Sequence, residues 1–359
     1  MNPEPNLRAA EKKASRQRDI RDLLLPELEQ VVADSGQPRF RAKQLAQWLY
    51  VHRVDCFDAM RNLPAVLREH LKCHFRLAAL PATAINRSTD GTTKLLLRLE
   101  DGKEIESVII PADERTTLCI SSQAGCAMKC AFCATAKMGL ERNLTAGEIV
   151  GQVIAAARHL ADGEHLTNYV FMGMGEPLAN YPRLLRALTI MTSPWGMGIS
   201  PRRITVSTVG LAPMIEKLMT DTPVHLAVSL TATTNELRDR LAPINRRYPL
   251  EQLIETCRRL DLGRRRITFE YVMLSGINDS PADAGRLARL LAPLRAKVNL
   301  IFFNPFAGSA FAPSSREAVE RFQAILYKAN LTATIRESRG QDIAAACGQL
   351  RVEHIVPAA

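Results

Sequence analysis

Between residues 118 and 335 the chain alternates short apolar, β-branched runs with longer amphipathic stretches, and this rhythm restricts its fold most. The runs fall at 118–121, 169–172, 204–207, 225–230, 267–273, 298–303 and 332–335. Most are separated by segments with apolar residues at helical spacing, at 146–160, 183–191, 250–260, 282–291 and 316–329. Strand and helix in repetition call for a parallel sheet with right-handed crossovers. Six or seven such units predict an α/β fold, an open or partial (β/α) barrel, with its chemistry at the C-terminal ends of the strands. Polar or glycine-rich loops stand at those ends, at 122–133, 173–177, 207–210, 229–234 and 304–308.

Upstream the texture differs. Residues 16–77 are polar, with helix-spaced apolar positions at 23–32, 42–51 and 63–74, and predict a small N-terminal helical domain. Strand-like runs at 93–100 and 106–111 flank Asp101-Gly102, a hairpin signal. The expected division is a helical accessory domain at 1–85, a connecting hairpin region at 86–117, the partial barrel at 118–340 and a C-terminal segment at 341–359.

A hydrophobic share of 47% with 23% charged residues supports a packed core and excludes global disorder. No apolar run is long enough to cross a membrane, and the first residues lack the apolar stretch of a secretory signal, so a cytoplasmic protein with no membrane partner is expected. The net charge is +10; the first 100 residues hold 17 basic and 12 acidic side chains, the other 259 hold 30 and 25. A basic surface concentrated in the first quarter points to a polyanion, with nucleic acid leading. Arginine clusters at 202–203, 246–247, 258–259 and 264–266 add to it.

Eight cysteines stand at 56, 73, 119, 126, 130, 133, 257 and 347. A chain of this length with a large core needs no disulfide staples, yet four of the eight fall between 119 and 133. Directly after the first barrel strand, SSQAGCAMKCAFC sets Cys126, Cys130 and Cys133 at C-x3-C-x2-C spacing. Thiolates are soft ligands suited to zinc or iron–sulfur clusters. Zinc would draw a fourth ligand from a second knuckle, and none follows. Three cysteines suit a [4Fe-4S] cluster with one open iron, able to chelate a small molecule. A basic RNA-binding protein with structural zinc is the non-enzymatic alternative.

This cysteine loop, followed by GMGEPLAN, resembles the radical S-adenosylmethionine (SAM) enzymes. The strings TTLCISSQAGCAMKCAFC, GMGEPLAN, ITVSTVGLAP, VSLTA, FFNPF and SRGQDIAAACGQL, with PRFRAKQLAQWLY near the start, are similar to the RlmN/Cfr group of RNA adenine methyltransferases. The resemblance implies a cluster on Cys126, Cys130 and Cys133, and SAM contacts from Gly175, Glu176, Ser207, Ser229, Leu230, Thr231 and Asn304. Thr231 stands where the group usually carries histidine, which puts a side-chain contact there in doubt. It further implies that Cys347 takes a methyl group from one SAM, and that a radical from a second SAM removes a hydrogen from that methyl group. The methylene radical then adds to carbon 2 of adenosine, and Cys119 releases the product by a disulfide with Cys347. Glu106 is the expected proton acceptor, with Cys119 as the alternative. Implied partners are 23S rRNA, tRNA and a flavodoxin-type electron donor, acting on a monomer. The carbon-8 branch of the group, or a radical SAM enzyme with a non-RNA substrate, is the alternative reading. Cys56, Cys73 and Cys257 match no motif of the group and are read as structural.

Overall fold

The computed structural model describes residues 17–77 and 79–352. Residues 1–16 of the expected accessory domain and 353–359 of the expected C-terminal segment lie outside the described residues. At the N-terminal end, β1 (Arg18–Asp19) pairs in parallel with β2 (Phe75–Arg76). Between them run α1 (Leu25–Asp34), α2 (Arg41–Tyr50) and α3 (Ala65–His74), which bury Leu28 and Val32, Leu45 and Leu49, and Leu67 and Leu71 at helical spacing.

Three antiparallel strands follow, β3 (Ala82–Arg87), β4 (Thr93–Arg98) and β5 (Glu104–Ala112), and β5 pairs with β6 (Arg115–Cys119). A small hairpin, β7 (Gln123–Gly125) and β8 (Leu140–Asn143), brackets the cysteine loop and the single helical turn α4 (Ala134–Lys137). The crossover rhythm then begins: α5 (Ala146–Ala157), β9 (Asn168–Phe171), α6 (Tyr181–Thr192), β10 (Ile204–Thr208), α7 (Ala212–Asp221), β11 (His225–Ser229), α8 (Asn235–Leu241), α9 (Leu250–Arg259), β12 (Ile267–Met273), α10 (Pro281–Leu291), β13 (Ala296–Phe302), α11 (Arg316–Lys328) and β14 (Ala333–Arg336). The ten-stranded sheet has the order β14-β13-β12-β11-β10-β9-β6-β5-β4-β3, with β6 and β9–β14 all parallel. The expected α/β partial barrel is therefore present, extended at one edge by three antiparallel strands.

The parallel strands read as largely apolar runs because helices cover one face and the interior the other; in β12 one face is Ile267, Phe269, Tyr271 and Met273, all fully buried, and the other carries Thr268, Glu270 and Val272, each buried or half-buried. Helix α5 begins with a capping box in which Thr145 and Glu148 satisfy each other's backbone amides. Arg142 grips the Glu148 carboxylate with two guanidinium nitrogens, tying β8 to that cap. Nearly every residue of α5 is buried, which explains its lack of a polar face. The sequence reading named no element at β1–β3, β7, β8, α4, α7 or α8.

After β14 the chain turns back across the ends of the strands. Residues 340–351 form a strap held by polar contacts. Asp90 accepts from the Gly340 amide at 2.9 Å, and Asp342 accepts from the Ser88 hydroxyl at 2.6 Å. Lys94 donates to the Ala344 carbonyl at 3.3 Å. On the other side, the Ala134 amide donates to Gly348 at 2.7 Å and the Thr135 hydroxyl to Leu350 at 2.5 Å.

Candidate active site

The cysteine loop is shaped by backbone bonds. Cys126 donates its amide to Gly139 at 2.8 Å, closing the hairpin, and Ala131 donates to Leu241 at the end of α8 at 2.9 Å. Gly125 has φ +73, and a Cβ there would sit 1.9 Å from the Gly139 carbonyl oxygen, so only glycine fits. Cys126, Cys130 and Cys133 all line one cleft, which encloses about 920 Å³ counting its open mouth. Burial pushes the Cys126 thiol up to about 12, and the neighbouring Cys133 adds to the rise. Among the described residues no group of three or more His, Cys, Asp or Glu side chains is placed to hold a single metal ion. The donor chemistry and the shared cleft fit a larger group bound by three thiolates with one face left open.

The same cleft is lined by Gly175, Glu176, Ser207, Ser229 and Cys347. Gly175 has φ +98 and lies so close to Gln123 that an added Cβ would fall 2.5 Å from that residue's Cβ. Glu176 is buried, and its two carboxylate oxygens accept from the amides of Leu178 (3.0 Å) and Val209 (2.8 Å). Burial raises this carboxyl to about 7, against the pull of those amides and the Thr208 hydroxyl. The Glu176 side chain thus braces the β10 loop at the border of the cleft. Leu230 and Thr231 line neither this cleft nor its neighbours. Thr231 is fully buried at φ +57, its hydroxyl has no partner, and its carbonyl accepts from Asn278 at 2.8 Å. The departure from histidine therefore falls on a side chain turned away from the cleft.

A second cavity, of about 500 Å³, holds Cys119, Asn304, Arg336 and Cys347, so Cys347 is common to both. The Asn304 side chain is engaged with the strap: its amide nitrogen donates to the Cys347 carbonyl at 3.1 Å, and its oxygen accepts from Gln341 at 2.7 Å. Cys347 is exposed through the cavities, and all eight cysteines are free thiols. Crowding by protein atoms raises the Cys347 thiol, the Arg336 guanidinium opposes that rise, and the Glu270 carboxylate reinforces it. Burial drives the Cys119 thiol further up. Arg336 is itself held more firmly protonated, by Cys347 first and then by Glu270 and Cys119.

Glu106 stands in a third cavity, of about 870 Å³, with Asn86, Lys94, Phe306 and Arg351. A carboxylate on a strand normally faces solvent, but the strap covers this one. Lys94 lies 2.9 Å from one carboxylate oxygen, and the Arg351 amide donates to the other at 2.9 Å. Glu106 is therefore not brought to the cleft of the three cysteines, although sheet register sets it two residues from Val108, the cross-strand partner of Cys119.

Three charged residues at this end of the sheet were not anticipated: Glu270, Arg336 and Arg238. Glu270 lies mid-strand, with one oxygen 3.4 Å from the Ser207 hydroxyl and the other buried without a partner. A lone carboxylate inside the apolar run ITFEYVM was the available signal. The arginine clusters separate by face. Those at 202–203 and 264–266 precede β10 and β12, and 258–259 ends α9, all at the end of the sheet opposite the cleft. Only Arg246 and Arg247, between α8 and α9, lie toward it.

Residues 18–77 match the ribosomal RNA large subunit methyltransferase N-terminal domain, and residues 120–288 match the radical SAM superfamily. The dual-specificity RNA methyltransferase RlmN of Geobacter sulfurreducens is 50% identical over 334 residues, spanning 93% of this chain and 92% of that protein. The RlmN of an Anaeromyxobacter species is 51% identical over 342 residues, spanning 93% and 91%. A crystal structure of a radical SAM methyltransferase from Sphaerobacter thermophilus superposes with a TM-score of 0.89 at 49% identity, covering 94% of this chain and all of that one. Among the described residues no helix is long and apolar enough to cross a membrane.

Proposed function

The chain belongs to the RlmN family of radical SAM RNA methyltransferases, and from that premise we propose that it methylates carbon 2 of adenosine in 23S rRNA and in tRNA. The observation that carries the reading is Cys347, a free thiol shared by two adjoining cavities, one lined by the three loop cysteines and the other by Cys119. Cys126, Cys130 and Cys133 would hold the [4Fe-4S] cluster, and Gly175, Glu176, Ser207 and Ser229 would border SAM. When bound, these groups supply a low-potential electron and a 5′-deoxyadenosyl radical, with two SAM consumed per turnover.

The protein's own residues then divide the work. Cys347 accepts the methyl group, and Arg336 favours the thiolate that does so. After the methylene carbon has joined the base, the Cys119 sulfur attacks that of Cys347. The base first gives up its carbon-2 proton and also its unpaired electron; the redox group held by the three cysteines would take back the electron. An S–S bond then forms as the carbon–sulfur bond to the RNA breaks, the released carbon takes up a proton, and a two-electron reduction by a dithiol or the electron donor returns Cys119 and Cys347 to thiols. Glu106 or Cys119 accepts the carbon-2 proton: both Glu106 oxygens are engaged by Lys94 and the Arg351 amide, whereas Cys119 shares a cavity with Cys347. The helical accessory domain at 1–85, the hairpin region at 86–117 and the barrel at 118–340 form the RNA-facing body. The segment at 341–359 carries the methyl acceptor. We place the enzyme in the cytoplasm as a monomer, reduced by a flavodoxin-type donor.

The test is an anaerobic reaction of reconstituted protein with reductant, SAM and unmodified 23S rRNA, followed by chromatographic separation of the nucleosides. A 2-methyladenosine peak is expected. An 8-methyladenosine peak would instead move the chain to the carbon-8 branch. No methylated adenosine from an iron-loaded protein that still cleaves SAM would refute the substrate assignment.

A further inference from the structure

Arg238 is fully buried on α8, and the reaction as described gives it nothing to do. Its guanidinium donates to the Val209 carbonyl at 2.6 Å, to Leu230 at 3.2 Å, to Ser229 at 3.4 Å and to the Asn245 side-chain oxygen at 3.1 Å. All four acceptors are neutral. Burying a cation against neutral acceptors alone leaves its charge uncompensated, and burial accordingly lowers Arg238 to about 10. The titratable groups that act against this fall are Cys130 first and Asp239 second. Asp239 is one side chain further away: the Asn245 amide that faces Arg238 donates to it at 2.7 Å.

Cys130 belongs to the loop that α8 supports directly. Leu241, at the end of α8, accepts from the amide of Ala131, the residue after Cys130. Leu241 also shares an apolar cluster with Ala131 and Phe132. Arg238 therefore sits one turn before the residue that holds the Cys130–Ala131 segment, and its hydrogen bonds reach the carbonyls that end β10 and β11. Those two strand ends carry Ser207 and Ser229, which border the cleft.

We infer that Arg238 is the buried counter-cation of the iron–sulfur cluster: its fixed charge near Cys130 stabilises the one-electron-reduced state, while its N–H groups stitch together the two loops that border SAM. The inference rests on the reading that Cys126, Cys130 and Cys133 bind the cluster. Net charge, hydrogen bonding and burial are what set such potentials. A cation in a low-dielectric site acts more strongly than one in water, so its removal makes the cluster harder to reduce.

The test is a redox titration of the reconstituted enzyme followed by electron paramagnetic resonance, with iron and sulfide counted per chain. Three proteins are compared with the wild type. Arg238→Gln removes the charge. Arg238→Lys keeps the charge but loses most of the stitching. The double variant Asn245→Asp with Asp239→Asn keeps the net charge and moves the anion onto Arg238. The expected result is a lower midpoint potential in Arg238→Gln and in the double variant, with Arg238→Lys closer to the wild type. Equal shifts in Arg238→Gln and Arg238→Lys would trace the effect to lost stitching and overturn the inference. So would an unchanged midpoint in the double variant, which decides the matter even if Arg238→Gln fails to fold. Wild-type protein that takes up no iron would instead defeat the ligand assignment on which the inference stands.

Discussion

Replacing Asp90 with asparagine should loosen the strap that carries Cys347 without loosening the barrel beneath it. Asp90 sits in the β3–β4 turn, accepts from the Thr92 amide at 2.9 Å, and holds the Gly340 amide where the strap begins. Partial burial alone would raise its carboxyl, but hydrogen bonds from Thr92, Gly340 and Ser88 outweigh that and bring it from 3.8 to about 2. A shift of that size is worth about 2.4 kcal/mol at 1.36 kcal/mol per unit. The side chain is partly exposed, so solvent screening leaves about 1 kcal/mol. Because the folded value is depressed, this contribution is present above pH 3.8 and is lost as the pH falls through 2. Of the three donors only the Gly340 amide belongs to the strap, so about a third of that, about 0.4 kcal/mol, bears on strap opening, and at pH 7 the substituted strap should open about twofold more often, since 1.4 kcal/mol is a factor of ten. Hydrogen exchange followed by mass spectrometry reads this directly. Peptides covering residues 340–351, which include the Ala345 amide bonded to Gly340 and the Arg351 amide bonded to Glu106, should exchange about twofold faster. Peptides from β12 should not change. Unchanged exchange in the strap would refute the reasoning, and equal acceleration in β12 would show that Asp90 supports the fold as a whole.

Other perturbations separate the remaining roles. Cys347→Ala should abolish methylation while leaving iron and sulfide content unchanged. Cys119→Ala should leave a covalent protein–RNA adduct, visible as a shifted band on a denaturing gel; free RNA alone would remove its resolving role. Gly125→Ala, with a Cβ 1.9 Å from the Gly139 carbonyl and φ +73, should displace the cysteine loop and reduce iron uptake to a small fraction of the wild-type level. Arg336→Met should slow methyl transfer to Cys347 about tenfold at neutral pH. Loss of the guanidinium lets the thiol rise further, so the rate profile should move to higher pH; an unmoved profile would mean that Arg336 acts on shape rather than on charge.

What could be read from the sequence divides along a physical line. Six of the seven parallel strands were located to within two residues, because burial on both faces leaves largely apolar runs, and β6 was placed three residues late at its start. Strand β3 was missed for the opposite reason: it pairs on one side only, and exposed Thr83, Ile85 and Arg87 alternate with half-buried Ala82, Ala84 and Asn86. The C-x3-C-x2-C loop was legible because its three thiols are local in sequence. The strap was not, because its anchors, Asp90, Asn304 and Glu106, join positions more than 40 residues apart. Glu106 shows the cost of that blindness. On strand β5 alone it reads as solvent-facing, and only residues 340–351 folding over it, with Lys94 alongside, turn it into a buried ion pair.

Arg238, Glu270 and Arg336 extend the same argument to charge. Glu270 is a lone carboxylate in an apolar strand, Arg336 ends one, and Arg238 stands among other charges on α8; in sequence a charged residue usually means a surface position. Their meaning depends on what stands opposite: Cys130 for Arg238, and Cys119 and Cys347 for Arg336. Glu270 stands beside Ser207 on the lining of the cleft. A motif can name the atoms that bind and react, because those must be of fixed type at fixed spacing. The charges that tune them come from whichever strand or helix the fold brings alongside, so they become visible only when the barrel is closed over its own loops.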